Sequence, residues 1–218
     1  MVALPTGRAQ AFSFADLSQQ DAGDGVKAAL QKGAEVAVSL LGKQDGFWGN
    51  DKVRIPLPQW LDKGQSVLKM MGRGKDIDEL KLGVNRAAEQ AVPQAQALLL
   101  DAVKSMSVQD AKSILTGGDN SVTTFFKGKT EKPIGEAFLP IVTTVTDKIG
   151  LAAQYNKLAG QGEKMGLLSA DQAKVERHVT TKALDGLYFM IGEEEKKIRS
   201  NPLGAGSAIL SKVFGAAR

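Results

Sequence analysis

Apolar side chains recur every three or four residues along most of the chain, a spacing that places them on one face of a helix. Between Asp24 and Leu41 this repeat predicts an amphipathic helix. Gly42 follows at a position where a left-handed glycine often ends a helix. The dominant pattern of the sequence is therefore helical.

The longest repeat runs through the middle of the chain, from Asp76 to Met106. Asp76, with Glu79 three residues later, forms a variant of the capping box that marks a helix start. The apolar stripe keeps its phase on both sides of Pro93, so we expect the proline to bend the helix without ending it. The pattern predicts one long, bent central helix.

The remaining helix starts carry a Ser, Asp or Asn that can accept a hydrogen bond from the first helical turn. They are Ser107 with Asp110, Asp119 or Asn120, and Ser169 with Gln172. Two long helices are expected in this half of the chain. One carries apolar positions from Ile134, bends at Pro140 and ends near Leu158, and the last runs from Ala170 to about Arg199.

Strand signals are weak. The best candidate, "KVRI" at residues 52–55, could form at most a minor short hairpin near residues 45–57. No internal repeat, low-complexity tract or long linker divides the chain. We predict an all-α fold, namely a single-domain bundle of about seven to nine helices around the bent central helix.

Composition narrows the functional classes. Aromatic residues make up only 6% of the 218 residues, which favours an aliphatic core, and the absence of cysteine excludes disulfides and thiol chemistry. No apolar run approaches the ~20 residues that span a bilayer. The net charge of +4 is spread along the chain, so no nucleic-acid partner is expected. After Glu195 the charged residues are all basic, which describes a solvated tail or a weak contact with a membrane surface.

The first eleven residues, "MVALPTGRAQA", end in the small-x-small pattern of a signal-peptidase site. The apolar part before it is shorter than the ~7–15 residues of a complete signal, so the match is either a trimmed signal or accidental. We favour a trimmed signal. Residues 1–11 are then a remnant without ordered structure, residues 12–218 form the helical domain, and the protein is periplasmic.

Polar residues interrupt the central helix in the stretch "NRAAEQAVP", residues 85–93. At about 100° per residue, Asn85 and Glu89 fall within a second apolar arc, and Arg86 lies at its margin, within reach of Glu89. A buried polar group without a partner costs about 1–3 kcal/mol. These residues could therefore form an internal polar clamp, hold a ligand, or act in catalysis.

Two aromatic residues and the single histidine favour structural interpretations. The stretch "DGFWGND", residues 45–51, lacks the ligand spacing of an EF-hand, so Phe47 and Trp48 are expected to anchor a turn or to border a pocket. His178 has no cysteine or nucleophile elbow to work with, and we expect it to be structural and partly exposed.

The acidic stretch "GEEEKKIR", residues 192–199, also has an ordinary explanation. Glu193 with Lys197 and Glu195 with Arg199 have the i,i+4 spacing of ion pairs on a solvated helix face. The Glu-x-x-His motifs of a carboxylate metal site are absent, and "GKT" at residues 128–130 lacks the frame of a phosphate loop. No metal site, cofactor or catalytic residue is predicted.

A set of short stretches resembles the bacterial domain-of-unknown-function family 4197 over about Ser13 to Gly215. In order, they are "DGFWGN", "IPLP", "NRAAEQA", "DAKSILTGG", "TTFFKGKT", "FLPIV", "TKALDGLYFMIGEEEKKIRSNP" and "VFG". The resemblance implies an export or lipoprotein signal, but the chain has no lipobox cysteine, so membrane anchoring is not supported. It implies no activity or cofactor. The polar and aromatic candidates within these stretches are Asn85, Arg86, Glu89, Thr124, Phe126, Lys127 and Thr130, with Phe47 and Trp48.

These observations favour an exported, non-enzymatic helical protein. It would bind a small apolar or amphipathic ligand, or dock a protein partner, near the polar groups of the central helix. One alternative is a hydrolase or lyase that uses Glu89 as general acid or base, with Arg86 or Lys127 stabilising an anion. Another is a structural envelope protein that self-associates.

Overall fold

The computed structural model describes residues 19–70, 72, 74–148, 150, 153, 155, 159 and 174–201. Within these ranges the elements are helical and no strand occurs, so the predicted all-α class is confirmed. The α-helices are α1 (Gln19–Gly42), α2 (Gln59–Met70), α3 (Gly74–Ala91), α4 (Ala95–Lys104), α5 (Val108–Thr116), α6 (Ser121–Lys148) and α7 (Val175–Ser200). A 3₁₀ turn, Val92–Gln94, joins α3 to α4.

The core lies between the long helices. α6 and α7 pack along each other, α1 contacts α7, α4 and α5, and α3 packs against α6. Small side chains allow α3 to approach its neighbours closely, since Ala87, Ala88 and Ala91 are all fully buried. Phe126 and Phe138 of α6 are fully buried in this core. The central helix of the sequence pattern is therefore central in the fold.

Pro93 interrupts the central helix more than predicted. The α-helix ends at Ala91 and resumes at Ala95, with the 3₁₀ turn between them. Proline has no N–H to donate, and its ring crowds the carbonyl four residues earlier, so the regular hydrogen bonding cannot continue. The prediction of one bent helix is thus corrected to two α-helices joined by a tight turn.

Gly42 has a different role from the predicted left-handed cap. It is the last residue of α1, and the positive φ in the following turn belongs to Asp45 at 64°. A Cβ atom on Gly42 would lie 3.0 Å from Pro93 Cγ. The glycine therefore allows the end of α1 to pack directly on the 3₁₀ turn.

The loop between α1 and α2 contains no hairpin. Residues 43–53 form turns and residues 54–58 are extended without a strand partner. The extended segment is bonded instead to side chains of α3 and α7, as described below. The predicted minor hairpin is therefore wrong, because side chains supply the bonds that a second strand would make.

Helix α6 begins directly after the start predicted at Asp119 or Asn120, and the helix predicted from Ile134 is continuous with it. It runs continuously from Ser121 to Lys148 and includes both Pro133 and Pro140. Both prolines are exposed, so the carbonyl groups that lose a helical partner lie on the side of α6 that faces solvent. The predicted helix end near Leu158 and the predicted starts at Ser169 and Ala170 lie outside the described residues.

The predicted helix start is correct for α5 and slightly displaced for α3. At α5 the capping box is confirmed: Ser107 Oγ accepts from the Asp110 N–H at 3.1 Å, and Asp110 Oδ2 accepts from the Ser107 N–H at 3.0 Å. Two hydrogen bonds to Ser107 lower the pKa of Asp110. Helix α3 begins at Gly74, so Asp76 lies in its first turn and not at its cap.

Candidate functional site

Asn85 joins α3 to the extended segment of the α1–α2 loop. Its Oδ1 accepts from the Ile55 N–H at 2.8 Å, and its Nδ2 donates to the Ile55 carbonyl at 3.0 Å and to the Lys81 carbonyl at 2.8 Å. The side chain is fully buried. Every polar group of the amide thus has a partner within the chain.

Glu89 holds the other end of the same loop. Its Oε1 accepts from the N–H groups of Phe47 at 3.0 Å and Trp48 at 3.1 Å. Its Oε2 accepts from Arg86 Nη1 at 2.6 Å, and Arg86 Nη2 donates to Asp45 Oδ1 at 2.7 Å. The hydrogen bond to Glu89 raises the pKa of Arg86, so the guanidinium stays charged although it is partly desolvated.

Together these contacts form a polar clamp, the set Asn85, Arg86 and Glu89 on α3 bonded to the α1–α2 loop. This is the arrangement expected of an internal clamp, one of the alternatives open from the sequence. Glu89 is 4% exposed and Asn85 is 0% exposed. A ligand at either residue would have to displace a bond that already exists within the chain.

Phe47 and Trp48 have separate environments. Phe47 is fully buried, and a Cβ atom on Gly186 of α7 would lie 2.6 Å from Phe47 Cε1, so the ring occupies the space that the glycine leaves. Trp48 is half-buried, and the Arg54 guanidinium lies 5.1 Å from the centre of its ring. Phe47 anchors the turn on the bundle, whereas Trp48 lies at its surface.

The α6 candidates form a second group. Phe126 is fully buried, and Thr130 Oγ1 donates to its carbonyl at 2.7 Å and lies 3.0 Å from the Tyr188 hydroxyl. Burial raises the pKa of Tyr188 to about 12. Lys127 is exposed and lies 3.6 Å from Glu131. Thr130 therefore joins α6 to α7, while the clamp joins α3 to the loop.

Thr124 lies on an open groove between α5 and the start of α6, which we call the α5–α6 groove. Its volume is about 480 Å³. Phe125, which is half-buried, supplies apolar surface, whereas Ile114 is almost fully buried. Asp110 and Asp119 also line the groove. The polar uncharged side chains along it are Ser113, Asn120, Ser121 and Thr124.

A buried ion pair lies beneath this groove, where the sequence pattern had predicted a solvated helix face. The predicted Glu195–Arg199 pair is present at 2.9 Å, but the Glu195 side chain is only 1% exposed. Glu195 is four residues after Ile191 and three before Ile198, which are both buried. That spacing puts it on the apolar stripe of α7, and it is the signal that could have revealed its burial.

The neighbouring acidic residues of α7 pair differently from the prediction. Glu193 is bonded to Lys52 at 3.1 Å and to Lys196 at 3.2 Å, and these bonds lower its pKa. Lys197, its predicted partner, binds Glu194 at 2.6 Å. Both pairs within α7 therefore have the i,i+3 spacing, and Lys52 of the loop adds a third ion pair.

His178 also supports the loop. It is half-buried, as predicted, and its Nε2 lies 2.8 Å from the Pro56 carbonyl, which requires the ring to donate from that nitrogen. Burial lowers the pKa of His178, an effect that the Pro56 carbonyl opposes. The extended segment is thus bonded to α3 at Ile55 and to α7 at Pro56.

No described helix combines the length and the hydropathy needed to cross a membrane. Among the same residues, no group of three or more His, Cys, Asp or Glu side chains is placed to hold a metal ion.

The geometry defines a class of protein: an all-α bundle whose central helix secures a long loop through a buried polar clamp. The chain belongs to the family described as "Protein of unknown function (DUF4197)", whose profile matches residues 16–215, in agreement with the resemblance seen in the sequence. No curated protein and no solved structure matches the chain.

Proposed function

We propose that this chain is a non-enzymatic binding protein of an envelope compartment, and that it binds a small amphipathic ligand in the α5–α6 groove. The observation that carries the proposal is the groove itself, which combines apolar surface with hydroxyl and amide groups. Its volume of about 480 Å³ is in the usual range of small-molecule sites.

The two kinds of lining residue suit the two parts of such a ligand. Phe125, which is half-buried, can take its apolar part, because burial of apolar surface favours binding. Ser113, Asn120 and Thr124 are exposed and can exchange bonds with water for bonds to a polar head. Thr124 also belongs to a stretch that resembles the family.

The state of Glu89 supports a non-enzymatic role. Its two oxygens already accept three hydrogen bonds, two of them from backbone N–H groups. A general base must receive a proton from a substrate within hydrogen-bond reach. For Glu89 to do so, the loop that it holds would have to be released.

Export is proposed from the sequence pattern before Phe12, where "AQA" fits a signal-peptidase site. The test is fractionation of the natural host, with detection of the untagged protein by antibody. Recovery in the periplasmic fraction supports export, and recovery with cytoplasmic markers contradicts it.

Titration with Nile red, an uncharged amphipathic dye, tests the groove. We expect saturable binding to the wild-type chain, and at least tenfold weaker binding to Ser113→Trp, whose indole would fill the groove. Lys112→Trp is the matched control, because Lys112 is exposed on the same helix and does not line the groove. Equal affinity of the wild type and Ser113→Trp would contradict the proposal.

A further inference from the structure

One side chain of α7 bonds to both walls of the α5–α6 groove. Arg199 Nη2 donates to the Ile114 carbonyl at 2.8 Å and to Ser121 Oγ at 2.7 Å. Ile114 belongs to α5, Ser121 is the first residue of α6, and both line the groove. A single guanidinium nitrogen therefore links the two helices that form the groove, and it reinforces the direct hydrogen bond from Ser121 Oγ to the Ile114 carbonyl at 2.9 Å.

Glu195 holds that guanidinium in place and bonds to the same wall. Its Oε1 accepts from Arg199 Nε at 3.0 Å, from the Val122 N–H at 3.2 Å and from Ser121 Oγ at 3.2 Å. A carboxylate at the start of a helix is also favoured by the helix dipole. Because its side chain is almost fully buried, these bonds are shielded from solvent.

We propose that Arg199 and Glu195 are positioning residues of the α5–α6 groove: they fix the separation of Ile114 and Ser121, and with it the width of the ligand site. The inference rests on the groove being the binding site proposed above. Its direct consequence is that the end of α7 and the ligand site are coupled, although Arg199 and Glu195 do not line the groove.

The geometry requires arginine at this position. A guanidinium presents several N–H donors in fixed directions, so it can bond Glu195, Ile114 and Ser121 at once. A lysine ammonium is a single point of charge on a flexible stem. Arg199→Lys should therefore keep an ion pair with Glu195 and lose the fixed spacing of the walls.

Hydrogen–deuterium exchange and Nile red titration of the full chain test the inference. In Arg199→Lys, we expect amides of residues 113–125 to exchange at least tenfold faster, and Nile red to bind at least fivefold more weakly. Lys196→Gln is the control, since it removes an exposed lysine and an ion pair from the same helix without contacting the groove. It should leave both measurements unchanged.

The location of the amides that exchange faster shows whether Arg199 positions the walls of the groove or stabilises the whole fold. Faster exchange confined to residues 113–125 supports the inference, whereas an equal increase throughout α1 and α7 contradicts it. If Arg199→Lys does not fold, Glu195→Gln decides by the same criteria, because it removes the charge that holds the guanidinium and Glu195 does not line the groove.

Failure of the proposed function has a different signature. If the wild-type chain does not bind Nile red, the groove is not the site proposed, while the exchange data still decide whether Arg199 positions its walls. If the wild type binds and a folded Arg199→Lys binds equally with unchanged exchange, the positioning inference is overturned and the binding function stands.

Discussion

At the scale of single residues, the buried side chain of Glu89 accepts three hydrogen bonds that would be lost together. Its carboxylate is bonded to the N–H groups of Phe47 and Trp48 and to the guanidinium of Arg86, and it is shielded from water. Removal of a carboxylate from such a site leaves its donors unpaired, which costs more than the net free energy of the bonds themselves.

We therefore expect Glu89→Ala to lower the free energy of unfolding by about 3–5 kcal/mol. Urea denaturation measures it. Glu79→Ala on the same helix is the control, because Glu79 is exposed and its loss should change stability by less than about 0.5 kcal/mol. A loss below about 1 kcal/mol for Glu89→Ala would mean that the clamp does not hold the loop.

Tyr188 should make the stability of the folded chain depend on pH. Its pKa is raised from 10.0 to about 12 in the folded chain, because burial disfavours the phenolate. The corresponding stability is fully present below pH 10 and is lost as pH rises through the folded pKa near 12. Between these values, the stability of the wild type relative to Tyr188→Phe should fall by about 2–3 kcal/mol.

Chemical denaturation of the wild type and of Tyr188→Phe at several pH values between about 9 and 12 measures this difference in stability. Lysine residues also titrate in this range, but they are the same in both proteins and their effect cancels in the difference. If the difference between wild type and Tyr188→Phe does not change with pH, the hydroxyl is not buried as described.

At the scale of elements, α1 and the 3₁₀ turn meet at a contact that has no room for a methyl group. Gly42→Ala would place Cβ 3.0 Å from Pro93 Cγ and 3.3 Å from Pro93 Cδ, and the proline ring cannot rotate away. We expect a loss of about 1–2 kcal/mol in spite of the better helix propensity of alanine.

Gly128→Ala is the matched control for Gly42→Ala. Gly128 also lies in a helix, but a Cβ atom there has nothing within 4 Å, so the change should stabilise the chain by up to about 1 kcal/mol. Thermal unfolding compares the two. The double variant Gly42→Ala with Pro93→Ala should regain part of the loss, and equal stabilisation by both alanines would exclude the close contact.

Most elements could be predicted from the sequence, because a helix is encoded by neighbours three and four residues apart. The interruption at Pro93 was underestimated, since an apolar stripe in phase does not show whether the backbone hydrogen bonds continue. Within the candidate site, the positions of Asn85 and Glu89 around the helix axis identified both residues as buried. The same helical geometry placed Arg86 within reach of Glu89, a pair that is present. It could not identify the partners in the α1–α2 loop, which are 30 to 42 residues away in sequence.

Glu195 was also misjudged, because an i,i+4 pair of opposite charges has the same local pattern on an exposed helix face and on a buried one. Its spacing from Ile191 and Ile198 could have shown that it is buried, but the packing of α5 and α6 over Arg199 could not be predicted from local sequence.

At the scale of the whole molecule, the α1–α2 loop is a fixed part of the bundle. It is bonded to α3 through Asn85 and Glu89 and to α7 through His178, and Phe47 fits against Gly186. Loops with few buried bonds open easily, whereas this one should open only when the contacts with both helices break.

Native-state hydrogen exchange should therefore find the amides of Phe47, Trp48 and Ile55 protected to nearly the same degree as those of α3. Lys43 and Gln44, which are exposed in the same loop, serve as internal controls and should exchange much faster. Uniformly fast exchange throughout residues 43–58 would show that the loop opens independently of the bundle.

The amide of Asn85 has one more consequence, which concerns encounters between copies of the chain. A segment with free N–H and carbonyl groups can pair with another molecule as an edge strand, and this pairing is a common first step of aggregation. Residues 54–58 are poorly suited to such pairing, because Pro56 and Pro58 have no N–H and Asn85 occupies both backbone groups of Ile55 from inside the bundle. The clamp and the two prolines together should therefore keep this segment from pairing with a second molecule.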